Sequence, residues 1–261
     1  MLDSIIEPNP LRATLNAGKT VLGTMVAEIR QPAIMQLLRL AGFDFCIIDN
    51  EHGPFNIETI ADLSRAGRAY GVTPIVRVPE LAYTYLAQSL DVGAQGIMLP
   101  RVYTVEQVQE AIQIVKYPPE GQRGCALNRG HTNFQPGPVL DVMARANQEN
   151  LVVIQIETKE ALEQVDAIAA VSGVDVLFIG PNDLSISLGV AGPPTSETMV
   201  AAIAKVVAAC QRHNRHCAIQ LADVELSRHW AANGIPMISF GSETGLLVNA
   251  GQAATEGIRA A

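Results

Sequence analysis

The chain has 261 residues, 48% of them hydrophobic, and a net charge of −8. That length suits one large core, and the acidic balance, with Lys and Arg scattered, argues against a nucleic-acid partner, since phosphate binding needs clustered cations; no apolar run approaches the ~20 residues of a membrane helix, so no membrane partner is expected. The four cysteines, Cys46, Cys125, Cys210 and Cys217, form no CxxC pair, and the N-terminal segment, acidic with two early prolines, does not read as a signal or transit peptide, so reduced thiols and a cytoplasmic location are expected.

A short helix over residues 10–17 is placed to cover one end of the fold. An alternation of apolar strands and amphipathic helices follows. Strands are predicted at 21–26, 43–49, 74–78, 96–100, 151–157, 174–179, 217–221 and 237–240. Helices are predicted at 31–41, 57–70 with Gly71 as its C-cap, 81–92, 104–115 with Thr104 as its N-cap, 139–147, 159–170, 196–213 and 224–233. The last segment, 243–261, reads as helix weakened by Gly245, Gly251 and Gly257. Between 117 and 138 the alternation breaks into a long loop with four prolines and four glycines around Arg123, Arg129 and His131. A loop this long in a compact fold is usually functional. It reads either as a cationic flap or as a packed connector.

Eight strand–helix units point to an α/β fold of the (β/α)8 TIM-barrel type, one domain over residues 1–261. An open sheet would more often carry a Gly-rich dinucleotide turn after its first strand, and Gly23 alone does not make one. In such a barrel, chemistry gathers at the C-terminal ends of the strands. Asp49, Glu51, His52, Arg77, Arg101, Gln155, Glu157 and Asp183 all stand there. Glu157 and Asp183 follow neighbouring strands and would suit a hard divalent cation. They would equally suit helix caps, and position alone leaves both readings open. Gln155 shares a strand face with Glu157 by the two-residue period. His52 with Asp49 close by can form an oriented acid/base pair. Arg77, inside the mouth, needs an anion, whether a substrate carboxylate or one of these acids. Asp91, at a helix end, reads as a solvated or capping acid. Lys19, Lys116, Lys159 and Lys205 are not placed inside a strand end, which disfavours an imine-forming mechanism.

The stretches IIDNEHGPFN, VRVP, LDVGAQGIMLPRV, YPPEGQRG, VVIQIET and FIGPNDLSISLG resemble the metal-dependent pyruvate aldolases of the HpcH/HpaI aldolase/citrate lyase family. The resemblance implies cleavage and formation of 4-hydroxy-2-oxo acids through a pyruvate enolate, from pyruvate and an aldehyde. It implies Mg²⁺, Mn²⁺ or Co²⁺ on Glu157 and Asp183, and pyruvate held by Gln155 and along Gly180, Pro181 and Asn182. It also implies Arg77 on the pyruvyl oxygens, His52 oriented by Asp49 as acid/base, and Asp91 reaching toward a neighbouring subunit's site. The expected assembly is a homohexamer, a trimer of dimers, with the C-terminal helix exchanged between partners. Asn182, Arg101 and the 125–135 stretch depart from the family's common pattern, which bears on the aldehyde half. The rival readings are decarboxylation of oxaloacetate, as in a macrophomate-synthase-like enolate enzyme, and a non-catalytic 2-oxo-acid binder.

Overall fold

A computed structural model describes residues 2–260. Eight parallel strands close into a barrel in chain order: β1 (Val21–Val26), β2 (Phe45–Asp49), β3 (Thr73–Arg77), β4 (Gly96–Leu99), β5 (Leu151–Ile156), β6 (Val176–Ile179), β7 (His216–Leu221) and β8 (Met237–Ser242). The helices are α1 (Leu2–Ile5), α2 (Pro10–Asn16), α3 (Ala33–Leu40), α4 (Ile57–Tyr70), α5 (Tyr83–Asp91), α6 (Val105–Val115), α7 (Val139–Glu149), α8 (Lys159–Glu163), α9 (Val165–Ala170), α10 (Pro181–Ser187), α11 (Glu197–Arg212), α12 (Val224–Ala232) and α13 (Glu243–Arg259). The expected (β/α)8 barrel is therefore the observed fold. Pairing of β1 with β8 leaves no strand edge open.

The strands read as continuous apolar runs because both of their faces are covered. In β2, Phe45 and Ile47 fill the barrel interior, while Cys46 and Ile48 pack under the helices. Leu11 and Leu15 of α2 join the interior cluster and close its floor, as expected of the N-terminal helix. Asn9 caps α2 through Leu11 and Arg12 N–H and reaches Gln95 and Glu149 carbonyls with its amide. Predicted ends recur where the local chemistry is strong. Thr104 and Gln107 form a capping box on α6, and Gly71 ends α4 in the left-handed region.

Three expectations change. The helix predicted over 159–170 breaks at Gln164 into α8 and α9. The helix after β6 starts at Pro181 with Gly180 as its N-cap, so Asp183 lies inside its first turn and not at its cap; proline suits the first helical position because its missing N–H has no partner to lose there. The 117–138 segment contains a short 3-10 turn, Gly130–Thr132, packed against α5. At the C-terminus α13 meets β1 and β8, and every described residue from Leu247 onward is exposed. The last residue of the predicted helix, Ala261, lies outside the described residues.

Candidate active site

The side-chain alternation that fills the interior places polar groups at the top of the same inward rows. On β2 the row Phe45, Ile47 ends in Asp49; on β3 Ile75 is followed by Arg77; on β5 Leu151 and Val153 are followed by Gln155. Asp49 and Arg77 are direct partners in the β2–β3 register. Their side chains form a two-pronged pair: Arg77 Nε donates to Asp49 Oδ1 at 2.9 Å and Nη2 to Oδ2 at 2.7 Å. Arg77 Nη1 lies 3.2 Å from Glu51 Oε2. All three groups are buried at the mouth. Burial works against the Arg77 charge, but Asp49, Glu51 and Glu157 more than offset it and hold its pKa above the ordinary value. Burial pushes the Glu51 carboxyl upward, with Arg77 and His52 pulling the other way.

Asp49 reaches His52 through the backbone only. Its Oδ1 accepts from the N–H of Glu51 (3.1 Å) and of His52 (3.2 Å), which shapes the turn after β2. The carboxylate beside the imidazole is that of Glu51, 3.8 Å from His52 Nε2, and the His52 side chain is 65% exposed. The expected Asp49–imidazole pair is thus replaced by an Asp49–Arg77 pair. The physical reason is the register: the guanidinium directly across the ladder offers a two-pronged charged partner, and the exposed imidazole does not compete.

Gln155 and Glu157 do point into one space. Gln155 Nε2 donates to Glu157 Oε2 at 2.5 Å, and the Arg101 N–H donates to Oε1 at 2.6 Å. Arg101 makes that bond from a left-handed backbone conformation, φ 53°. Thr158, not Glu157, caps α8 through the Ala161 N–H. Gly180 completes the cradle: a Cβ there would come within 2.8 Å of Gln155 Nε2 and 3.0 Å of Glu157 Oε2. Asp183 stands exposed in the first turn of α10, where a carboxylate suits the helix dipole. Burial pushes the Glu157 carboxyl up to about 7; the Arg101 N–H and the Arg77 charge oppose this, and the charges of Glu51 and Asp183 add to it.

Arg77, Gln155, Gly180 and Asp183 open on a cavity of about 850 Å³ that reaches out to Thr195, Gln220 and Asp223. Sequence reading missed the last three. Gln220 was findable, because it follows Ala218 on the inward row of β7. The donor set fits a hard divalent cation. It consists of oxygens, Gln155 Oε1 is buried without a hydrogen-bond partner, and the absent Cβ of Gly180 leaves room beside Glu157. Among the described residues no group of three or more His, Cys, Asp or Glu gathers at one point, so Glu157 and Asp183 would leave the remaining positions to water and substrate oxygens.

Asp91 lies at the C-terminal end of α5, at the opposite end of the barrel from this mouth. It pairs with the buried Arg123, whose guanidinium also stacks 4.5 Å over the Tyr117 ring. His131 lies against the Asp91 carbonyl (3.3 Å) and the Tyr117 hydroxyl (3.4 Å). Of the two readings of the 117–138 loop, the packed connector is the one formed around Arg123. Lys116 is also buried at this end, its Nζ donating to the Asn147 carbonyl at 2.5 Å, and burial lowers its pKa. It is far from the mouth, so it offers no imine-forming group there.

The His131 cluster should make the fold acid-sensitive. Burial, aided by the Arg123 charge, pulls the imidazole down to about 4 from an ordinary 6.5. The folded state therefore holds it neutral, and the unfolded chain takes up a proton as pH falls below 6.5. Stability is full above that pH and is lost toward pH 4, by up to about 3 kcal/mol. Urea unfolding at pH 7 and pH 5 should show the loss, and His131→Gln should flatten it. An unchanged slope in the variant would remove His131 from the account.

A family model described as HpcH/HpaI aldolase/citrate lyase matches residues 24–250. The 5-keto-4-deoxy-D-glucarate aldolase of Citrobacter koseri is 34% identical over 253 residues, 97% of either chain. Among solved structures, an HpcH/HpaI aldolase from Desulfitobacterium hafniense superposes with a TM-score of 0.91 at 31% identity, covering 95% of this chain and 96% of that one. Macrophomate synthase superposes with a TM-score of 0.83 at 28% identity, covering 100% and 91%.

Proposed function

The chain belongs to the HpcH/HpaI aldolase/citrate lyase family, and from that premise we propose that it is a carbon–carbon lyase that forms and cleaves 4-hydroxy-2-oxo acids from pyruvate and an aldehyde. The observation that carries this reading is the buried Arg77, fixed by Asp49 and Glu51 beside the Gln155–Glu157–Gly180 cradle at the mouth of the barrel. The keto-deoxy-glucarate named for the relatives is a compound of this class.

Glu157 and Asp183 would hold a divalent cation, Mg²⁺, Mn²⁺ or Co²⁺, with Gln155 beside them. When bound, such a cation supplies Lewis-acid polarisation of a 2-oxo acid's carbonyl. Pyruvate would lie along Gly180, Pro181 and Asn182. Arg77 would bind its oxygens and stabilise the enolate, because it arrives with its geometry already set by two carboxylates and needs no reorganisation. His52 would carry the proton of the 4-hydroxyl, with Glu51 beside its ring. Asp49 would act through Arg77 and through the turn that carries His52. Incubating the protein with pyruvate, an aldehyde and Mn²⁺ should give a 4-hydroxy-2-oxo acid detectable by NMR. Turnover of oxaloacetate alone, with no aldol product from any aldehyde, would favour the decarboxylase reading instead.

The cytoplasmic location is part of this proposal. Among the described residues no helix is long and apolar enough to cross a membrane, and the cysteines are free. So is self-association. Leu247, Val248 and Ile258 of α13 are each more than half exposed, which is costly on a lone barrel and suits a helix shared between subunits. A homohexamer built as a trimer of dimers is expected, in which Asp91 would face a neighbour's site rather than its own. Light scattering at micromolar concentration should give a multiple of the 27.9 kDa chain mass; a monomer mass would contradict it.

A further inference from the structure

The outer half of the cavity has a chemical character that bears on the aldehyde. Arg77 and His52 are the only side chains lining the cavity, among the described residues, that can carry positive charge. Arg77 is already paired with Asp49 and Glu51, and His52 is the proposed proton carrier. With Asp183 assigned to the divalent cation, the carboxylate left on the outer wall is Asp223, which is exposed. Gln220, which also lines the cavity, holds an acceptor that lacks a donor. Gln220 Nε2 donates to the Gly241 carbonyl at 2.8 Å, which fixes the amide so that Oε1 is left buried with no hydrogen-bond partner. Thr195 completes this wall. A second carboxylate on the substrate would bring only lone pairs to acceptors and the Asp223 charge, and would find no free cationic side chain there, the proposed divalent cation being taken up by the pyruvate half. A hydroxyl would bring the missing donor.

We infer that the aldehyde half of this site selects a neutral, hydroxylated aldehyde over an anionic semialdehyde, with Gln220 and Asp223 as the residues that set the preference. This rests on the aldolase reading above. The reaction is the ordinary addition: the pyruvate methyl carbon loses a proton and bonds to the aldehyde carbon, whose oxygen gains a proton, with no redox change. The proteins named for a glucarate, a sugar with a carboxylate at each end, would then differ from this chain in the outer half of the site.

A matched pair of aldehydes tests it. Glyceraldehyde and tartronate semialdehyde share a three-carbon hydroxyaldehyde frame and differ in a hydroxymethyl against a carboxylate. With the full-length protein, Mn²⁺ and saturating pyruvate, kcat/KM for glyceraldehyde should exceed that for the semialdehyde by about tenfold or more, the scale of one unfavourable charge pair at a partly exposed site. Raising the salt concentration should narrow the gap. Asp223 caps α12 through the Leu226 N–H, and asparagine caps as well as aspartate, so Asp223→Asn should fold and should reduce the ratio severalfold. Gln220→Leu should lower the ratio from the other side, by weakening glyceraldehyde. Equal or better use of the semialdehyde, or ratios unmoved in both variants, would overturn the inference. Exchange of the pyruvate methyl protons in D₂O separates the two levels. Exchange without the expected preference refutes the aldehyde assignment alone, and absence of exchange refutes the aldolase reading and this inference with it.

Discussion

Arg77→Ala is expected to lower kcat/KM for aldol addition by about 10²–10³-fold, the usual loss on removing one preorganised oxyanion donor. Arg77→Lys should recover little. The native guanidinium uses Nε and Nη2 on Asp49 while Nη1 faces Glu51, and an ammonium cannot reproduce that fork. The alanine variant should also be less stable, because Asp49 and Glu51 stay buried without their cation; breaking a buried pair of this kind costs about 3–5 kcal/mol. Thermal melts must therefore accompany the kinetics. A folded Arg77→Ala protein with near-normal kcat/KM would remove Arg77 from the proposed chemistry.

His52→Ala should lower kcat by about 10²–10⁴-fold, the range for a placed acid/base group. Here the stability cost should be small, since the side chain is 65% exposed and its nearest carboxylate is 3.8 Å away. Metal affinity should be nearly unchanged, which isothermal titration with Mn²⁺ can read. Asp49→Asn should resemble a weakened Arg77 variant rather than a His52 variant, because the Asp49 carboxylate meets the guanidinium and not the imidazole. A His52→Ala protein with full kcat would make the residue structural, and one that loses Mn²⁺ binding would make it a ligand.

Much of this site was legible in the sequence because a buried strand has a strict two-residue period. Gln155 and Glu157 were expected on one face of the fifth strand, and their side chains do meet. The positions of Asp49, Arg77 and Glu157 on the mouth follow from the same rule. What the period does not reveal is the choice of partner. Asp49 had His52 three residues away and Arg77 on the next strand, and only the β2–β3 register puts the guanidinium directly opposite. Asp91 and Arg123 lie 32 residues apart across an irregular loop, so no local pattern announces their contact. Asp183 could be read as a helix cap because proline marks a loop as readily as a first helical turn, whereas α10 starts two residues earlier, at Pro181. The wall formed by Thr195, Gln220 and Asp223 comes from two separate segments, the loop before α11 and the end of β7 with the turn into α12, and its character emerges only when the barrel closes.

Carbon–carbon chemistry with pyruvate is expected to depend on a divalent cation held by Glu157 and Asp183. The most direct measurement is aldol addition by the full-length protein after exhaustive chelation, followed by stepwise return of Mn²⁺ or Co²⁺. The stripped protein should form no 4-hydroxy-2-oxo acid from pyruvate and glyceraldehyde. Added metal should restore the reaction in the wild type but not in Glu157→Gln. Undiminished turnover by the metal-free protein would contradict it.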